Sequence, residues 1–246
     1  MEDSFRFNSE MQSTPRYNKT YSFAGKNPRE ISLVMDILEK HFHYTQRTTL
    51  NRMRQSINEQ PNAFKILIAC LLSLRTRDET TEKISEELFK IADTPQKILE
   101  LPIGKLEGII YSTGHYHKKA LTLKHVSQEL INRFNSKVPD TREELLSIKG
   151  IGPKTANIVL NFAFNQAVIP IDTHCHRIPN RLGWLRTKTP EQTEKQLEKI
   201  LPKQYWLEFN GIFVLFGRTI CTPISPYCSK CPVRKYCSRI DVTKSR

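Results

Sequence analysis

Gly150-Ile151-Gly152-Pro153-Lys154-Thr155-Ala156-Asn157 is the stretch on which the fold turns. Two glycines and a proline lead into a helix-forming run, the order that a tight hairpin feeding a helix requires. Pro153 suits the first helical turn, where its missing N–H would have no partner in any case. The N–H groups near Gly152 then point out of the helix start and form a small anion site suited to a phosphate. Lys154 sits in the same positive field, and a desolvated lysine there is a candidate nucleophile. Asp172 is its candidate partner. Taken singly, Lys154 reads as a surface lysine and Asp172 as a helix N-cap.

Working outward, Thr141 and Glu144 form a capping box for the helix that ends at Lys149-Gly150, and Ala156 to Phe164 is the apolar helix that follows. No strand precedes the glycines, and their spacing fits neither a dinucleotide-binding turn nor a P-loop. Asp172-Thr173-His174 opens a helix carrying Arg177 and Arg181. Thr189 and Gln192 cap another through Leu201, and Tyr205 to Ile220 is apolar and helical. Towards the N-terminus, helical spacing runs from Pro28 to His43, and Asn62 caps Ala63 to Leu74. Helices follow from Glu79 to Ile91, from Thr94 and after Pro102, the last expected to close on Gly114 as a C-cap. The class is all-α, with about ten helices and no period-2 strand.

The sequence has 38 Lys plus Arg against 25 Asp plus Glu, a formal net charge of +13. That imbalance points to a polyanion, because neutralising phosphates is the main sequence-independent source of nucleic-acid affinity. A membrane partner is disfavoured: the longest apolar run, Ile66 to Leu72, is far short of the roughly 20 residues needed to span. The acidic start, Met1-Glu2-Asp3, resembles no secretory signal, so a cytoplasmic, nucleoid-associated protein is expected. Basic residues also cluster at two turns. Arg75 and Arg77 follow the apolar helix at Leu74, and His115-Tyr116-His117-Lys118-Lys119 joins aromatic and cationic groups, as stacking on bases and phosphate contact would use.

Four of the six cysteines are crowded as Cys221-x6-Cys228-x2-Cys231-x5-Cys237. Four thiolates at this spacing can surround either a zinc ion or a [4Fe-4S] cube, and the spacing alone leaves zinc slightly ahead. Cys70 and Cys175 read as small buried residues.

Taken together, these residues resemble the endonuclease III family of helix-hairpin-helix DNA glycosylases from about Ala63 to Cys237. The hairpin Leu146 to Thr155 with Lys154, the run Ile171-Asp172-Thr173-His174, Phe216-Gly217-Arg218 and the 6-2-5 cysteine spacing carry the resemblance. It turns the cysteine reading from zinc to a [4Fe-4S] cluster on Cys221, Cys228, Cys231 and Cys237. It implies two helical lobes gripping double-stranded DNA between them. These are a barrel over residues 59–166 and a cluster lobe combining 29–58 with 167–246, preceded by a basic tail over 1–28.

The same resemblance implies a monomeric base excision repair enzyme for oxidised pyrimidines, with Lys154 as nucleophile and Asp172 as its assisting carboxylate. Gly150, Gly152 and Thr155 would grip the phosphate backbone. Arg75 and His115 would fill or line the gap left by the extruded nucleotide, and Lys230, Arg234 and Lys235 would add a basic surface. Many bacterial members carry glutamine at the position of Arg75 and an apolar residue at that of His115. A monofunctional mismatch glycosylase and a non-catalytic, zinc-stabilised DNA-binding module are the alternative readings.

Overall fold

The helical spacing after Pro28 becomes α1, Pro28–Phe42, which buries Ile31, Val34, Met35, Leu38 and Phe42 along one face. The computed structural model describes residues 27–42 and 62–246, and the expectations for the tail over residues 1–26 and for residues 43–61 of the two expected lobes lie outside these residues. Among the described residues the chain is helical throughout, joined by turns and short 3-10 segments, with no strand. The remaining α-helices are α2 (Ala63–Ser73), α3 (Asp78–Ile91), α4 (Pro95–Glu100), α5 (Ile103–Ile110), α6 (Tyr116–Phe134) and α7 (Arg142–Ser147). They continue as α8 (Pro153–Phe164), α9 (Thr173–Leu182), α10 (Pro190–Ile200) and α11 (Trp206–Thr219).

Caps fix most of these starts. Asn62 accepts from the Lys65 N–H at 3.0 Å, Thr141 from Glu144 at 3.4 Å and Thr189 from Gln192 at 3.3 Å, each relieving a donor that the helix leaves unpaired. Gly114 departs from its expected role. Helix α5 stops at Ile110, and the left-handed residue is His115 (φ 59°), one position later. Gly114 instead lies beneath the Arg75 carbonyl, where a Cβ would come within 3.1 Å of the oxygen. Close approach, not handedness, requires glycine there.

Buried apolar side chains form two main cores. One gathers Leu67, Leu71, Leu88, Leu106, Leu123, Val159 and their neighbours from α2 to α8. The other joins the buried face of α1 to Ile178, Trp184, Leu197, Phe209, Phe213 and Phe216 from the C-terminal part. Polar side chains tie one to the other. Asn157 and Asn161, on the buried face of α8, donate to Glu194 at 2.8 Å and to the Trp206 carbonyl at 3.2 Å. Arg142 on α7 completes a fork onto Glu194 at 2.5 and 3.4 Å.

Glu194 is only 8% exposed and Asn157 only 1%. Its removal strands both partners, so Glu194→Ala is expected to cost about 2 to 3 kcal/mol. Glu194→Gln, which keeps one acceptor, is expected to cost about half of that. Urea unfolding midpoints of the two variants check the pair. Equal, near-zero shifts would show that the tie contributes nothing.

Candidate active site and nucleic-acid interface

The hairpin is built as its residues dictate. Gly150 adopts φ +107°, in the left-handed region, and a Cβ there would meet Thr122 Cγ2 at 2.8 Å, so both backbone and packing demand glycine. The turn closes by Ile151 N–H to the Ile148 carbonyl at 3.1 Å. Gly152 is the extended N-cap of α8 and offers no capping side chain, with Pro153 in the first turn. The N-cap thus supplies no side-chain oxygen to the main-chain donors that follow it, and Gly152 and Pro153 are exposed, as an anion site needs. Thr155 is 3% exposed, and its side chain reaches the buried Cys70 thiol, so it can meet a phosphate only through its main chain.

Lys154 lies half-buried in the first turn of α8. Asp172 is the N-cap of α9: its Oδ1 accepts from the N–H groups of His174 at 2.9 Å and Cys175 at 2.8 Å. The charges of Lys154 and Asp172 both reach the fully buried Cys175. Burial pushes the Cys175 thiol well above its ordinary value, the Asp172 charge adds to this and the Lys154 charge opposes it. An amine and a carboxylate from two different helices, each half-buried, thus both act on one buried thiol.

Behind Asp172, α9 is bolted to the cysteine loop. Arg177 Nη2 donates to the Cys221 carbonyl at 2.7 Å and to His174 Nδ1 at 3.3 Å. Arg181 donates to the carbonyls of Thr222 at 2.8 Å and Pro223 at 3.0 Å, and to Cys221 Sγ at 3.4 Å. His174 also packs against Gly217 so closely that a Cβ at Gly217 would lie 2.1 Å from its Nδ1. In sequence Arg177 and Arg181 are only basic residues on a helix, and no spacing signal marks their partners.

The four clustered cysteines line one cavity of about 390 Å³, including its open mouth, together with Phe216 and Tyr227. No disulfide joins them. Among the described residues no group of three or more His, Cys, Asp or Glu side chains is placed to hold a metal ion. Burial pushes the Cys231 thiol up to about 11 and raises Cys237 as well. Donors stand ready for thiolate charge, with the Arg239 N–H 3.3 Å from Cys237 Sγ, besides Arg181. Lys230, Arg234 and Lys235 are exposed around this loop.

Arg75 and His115 come together although 40 residues apart, with Arg75 Nη1 at 3.5 Å from His115 Nε2. Both are exposed, and both take left-handed backbones, at φ 56° and 59°. Each such non-glycine residue costs about 1 to 2 kcal/mol, a strain that persists only where the surroundings impose it. No described helix is long and apolar enough to cross a membrane.

Comparison with known proteins places this geometry. Residues 68–203 match the model of the HhH-GPD superfamily base excision DNA repair proteins. Endonuclease III of Thermotoga maritima is 44% identical over 180 residues, covering 73% of this chain and 84% of that protein. Endonuclease III of Haemophilus influenzae is 36% identical over 174 residues, covering 71% and 82%. Among solved structures, a trapped endonuclease III–DNA covalent intermediate superposes with a TM-score of 0.77 at 32% identity, over 87% of this chain and 97% of that one. A thermostable thymine-DNA glycosylase, 24% identical with a TM-score of 0.76, shares the fold. The chain therefore belongs to the endonuclease III family of DNA glycosylase/lyases within the HhH-GPD base excision repair superfamily.

Proposed function

We propose that the protein excises oxidised pyrimidines from double-stranded DNA and nicks the resulting abasic site through a Schiff base on Lys154. The observation that carries this reading is that half-buried Lys154, on a helix start without a side-chain cap, and half-buried Asp172 both act on the buried Cys175. The main-chain donors of the hairpin, flanked by Gly150 and Gly152, hold the backbone and bring the sugar to the amine. Lys154 Nζ attacks C1′ as the base departs, and Asp172 stabilises the positive charge that develops on the sugar and takes part in proton movement. Nζ gives up a proton and the sugar ring opens by cleavage of C1′–O4′, with O4′ taking a proton, so that the C1′–N bond becomes an iminium, which acidifies the C2′ proton. Loss of that proton expels the 3′ phosphate by β-elimination. Taking the base out of the stack leaves a gap, which Arg75 and His115 occupy or line.

The two cores correspond to two lobes in this reading, residues 59–166 and residues 29–58 with 167–246, with DNA between them and the protein acting as a monomer. Cys221, Cys228, Cys231 and Cys237 would hold a [4Fe-4S] cluster. Four thiols around one cavity, with N–H donors aimed at two of the sulfurs, fit such a cube, and the 6-2-5 spacing carries the choice of cube over zinc. Bound there, the group would cross-link the segment just after α11 to the C-terminal loop. Purified protein is expected to be brown and to contain iron and sulfide in equal amounts; colourless protein with zinc would refute the assignment.

Duplexes with single defined lesions test the activity. Those with an oxidised pyrimidine should yield a nicked strand ending in a 3′ unsaturated aldehyde. Release of the base with the strand left intact would favour the monofunctional reading.

A further inference from the structure

Lys119, on the first turn of α6, is 8% exposed, so burial withdraws it from the phosphate contact that the basic cluster after His115 suggests in sequence. Its main-chain N–H donates to the His115 carbonyl at 3.0 Å. Its ammonium donates to the Leu72 carbonyl and to Thr76 Oγ1, both at 2.7 Å. Leu72 and Thr76 bracket Arg75, and Thr76 N–H closes the same turn onto the Ser73 carbonyl at 3.1 Å. One residue is thus fastened through its backbone to His115 and through its side chain to both flanks of Arg75. Burial weakens the hold of the ammonium on its proton and pulls its pKa down to about 8. A charge left at such a site is held there by the carbonyl and the hydroxyl it serves.

We infer that Lys119 is a positioning residue that locks the Arg75 turn and the His115 turn into one unit for filling the gap opposite an extruded nucleotide. The inference rests on the proposed roles of Arg75 and His115. Without the ammonium, Leu72 and Thr76 lose their shared donor, and the strained turn at Arg75 is free to relax away from His115. Lys119 touches no reacting atom in this scheme, so its loss should weaken recognition of the gap and spare the chemistry.

The full chain is titrated with a duplex holding a tetrahydrofuran abasic analogue opposite 2-aminopurine, whose fluorescence reports stacking at the gap. Elimination is followed separately on natural abasic DNA under saturating, single-turnover conditions. Lys119→Met, which keeps the apolar stem, is expected to weaken binding of the analogue by about tenfold, the worth of one charged hydrogen bond, and to lose most of the fluorescence change. The saturated elimination rate should stay within about twofold of wild type, because no interaction unique to the transition state is removed. Lys119→Arg should recover part of the signal. Thr76→Val, which removes one acceptor from a partly exposed turn and leaves Lys119 in place, should shift binding and signal in the same direction.

A fluorescence change and affinity unaltered by both Lys119→Met and Thr76→Val would overturn the inference, as would a lower thermal midpoint with the gap signal intact. If Lys119→Met does not fold, an unaltered signal in Thr76→Val decides against it. If Arg75→Ala gives the wild-type signal, the gap-filling role itself fails and takes this inference with it.

Discussion

Lys154→Ala is expected to abolish strand nicking while leaving a folded protein that still binds abasic-site DNA. Alanine is the best helix former, and the first turn of α8 is retained, so stability should change by less than about 0.5 kcal/mol. The anion site is made of main-chain donors that the substitution does not touch. Most affinity for DNA comes from phosphate contacts spread over a chain of net charge +13, so the dissociation constant should stay within about threefold. Chemistry is different, because removal of a covalent nucleophile commonly costs about four orders of magnitude or more. Single-turnover nicking measured beside a binding titration separates the two. Parallel loss of binding and nicking would make Lys154 a DNA contact rather than the nucleophile.

Asp172→Asn should lower single-turnover base excision by about two to four orders of magnitude, the usual worth of a positioned acid–base group. Asn keeps the cap, since its Oδ1 can accept from His174 and Cys175 as the carboxylate does, and Asn is among the best N-cap residues. Stability should therefore hold to within about 0.5 kcal/mol, whereas Asp172→Ala should lose roughly 1 kcal/mol through the cap alone. Rate constants from saturated complexes, set beside thermal melts of both variants, tell charge from cap. If Asn matches wild type in rate and only Ala is impaired, Asp172 is a helix cap and nothing more.

Local rules made much of this architecture legible. Asn62, Thr141 and Thr189 announce helix starts by side-chain chemistry that acts within three residues, and each caps where its sequence places it. Gly150 and Pro153 likewise specify the hairpin through backbone preference alone. Gly114 was open to misreading because glycine serves two needs, and close approach to the Arg75 carbonyl depends on a segment some 40 residues away. The ties of Glu194 to Asn157 and Arg142, and of Lys119 to Leu72, have the same character. A charged residue on an amphipathic helix looks solvated in sequence, and only tertiary packing reveals that it has been buried against a partner. Asp172 combines both readings: it is the cap that its sequence position suggests, and its charge, like that of Lys154, reaches the buried Cys175.

Borohydride reduction of the complex with abasic-site DNA, followed by proteolysis and mass spectrometry of the cross-linked peptide, tests the Schiff base most directly. The modification is expected on Lys154 and nowhere else, with no cross-link in Lys154→Ala. A cross-link on another amine, such as Lys149 or the N-terminus, or one that persists in the alanine variant, would contradict the account.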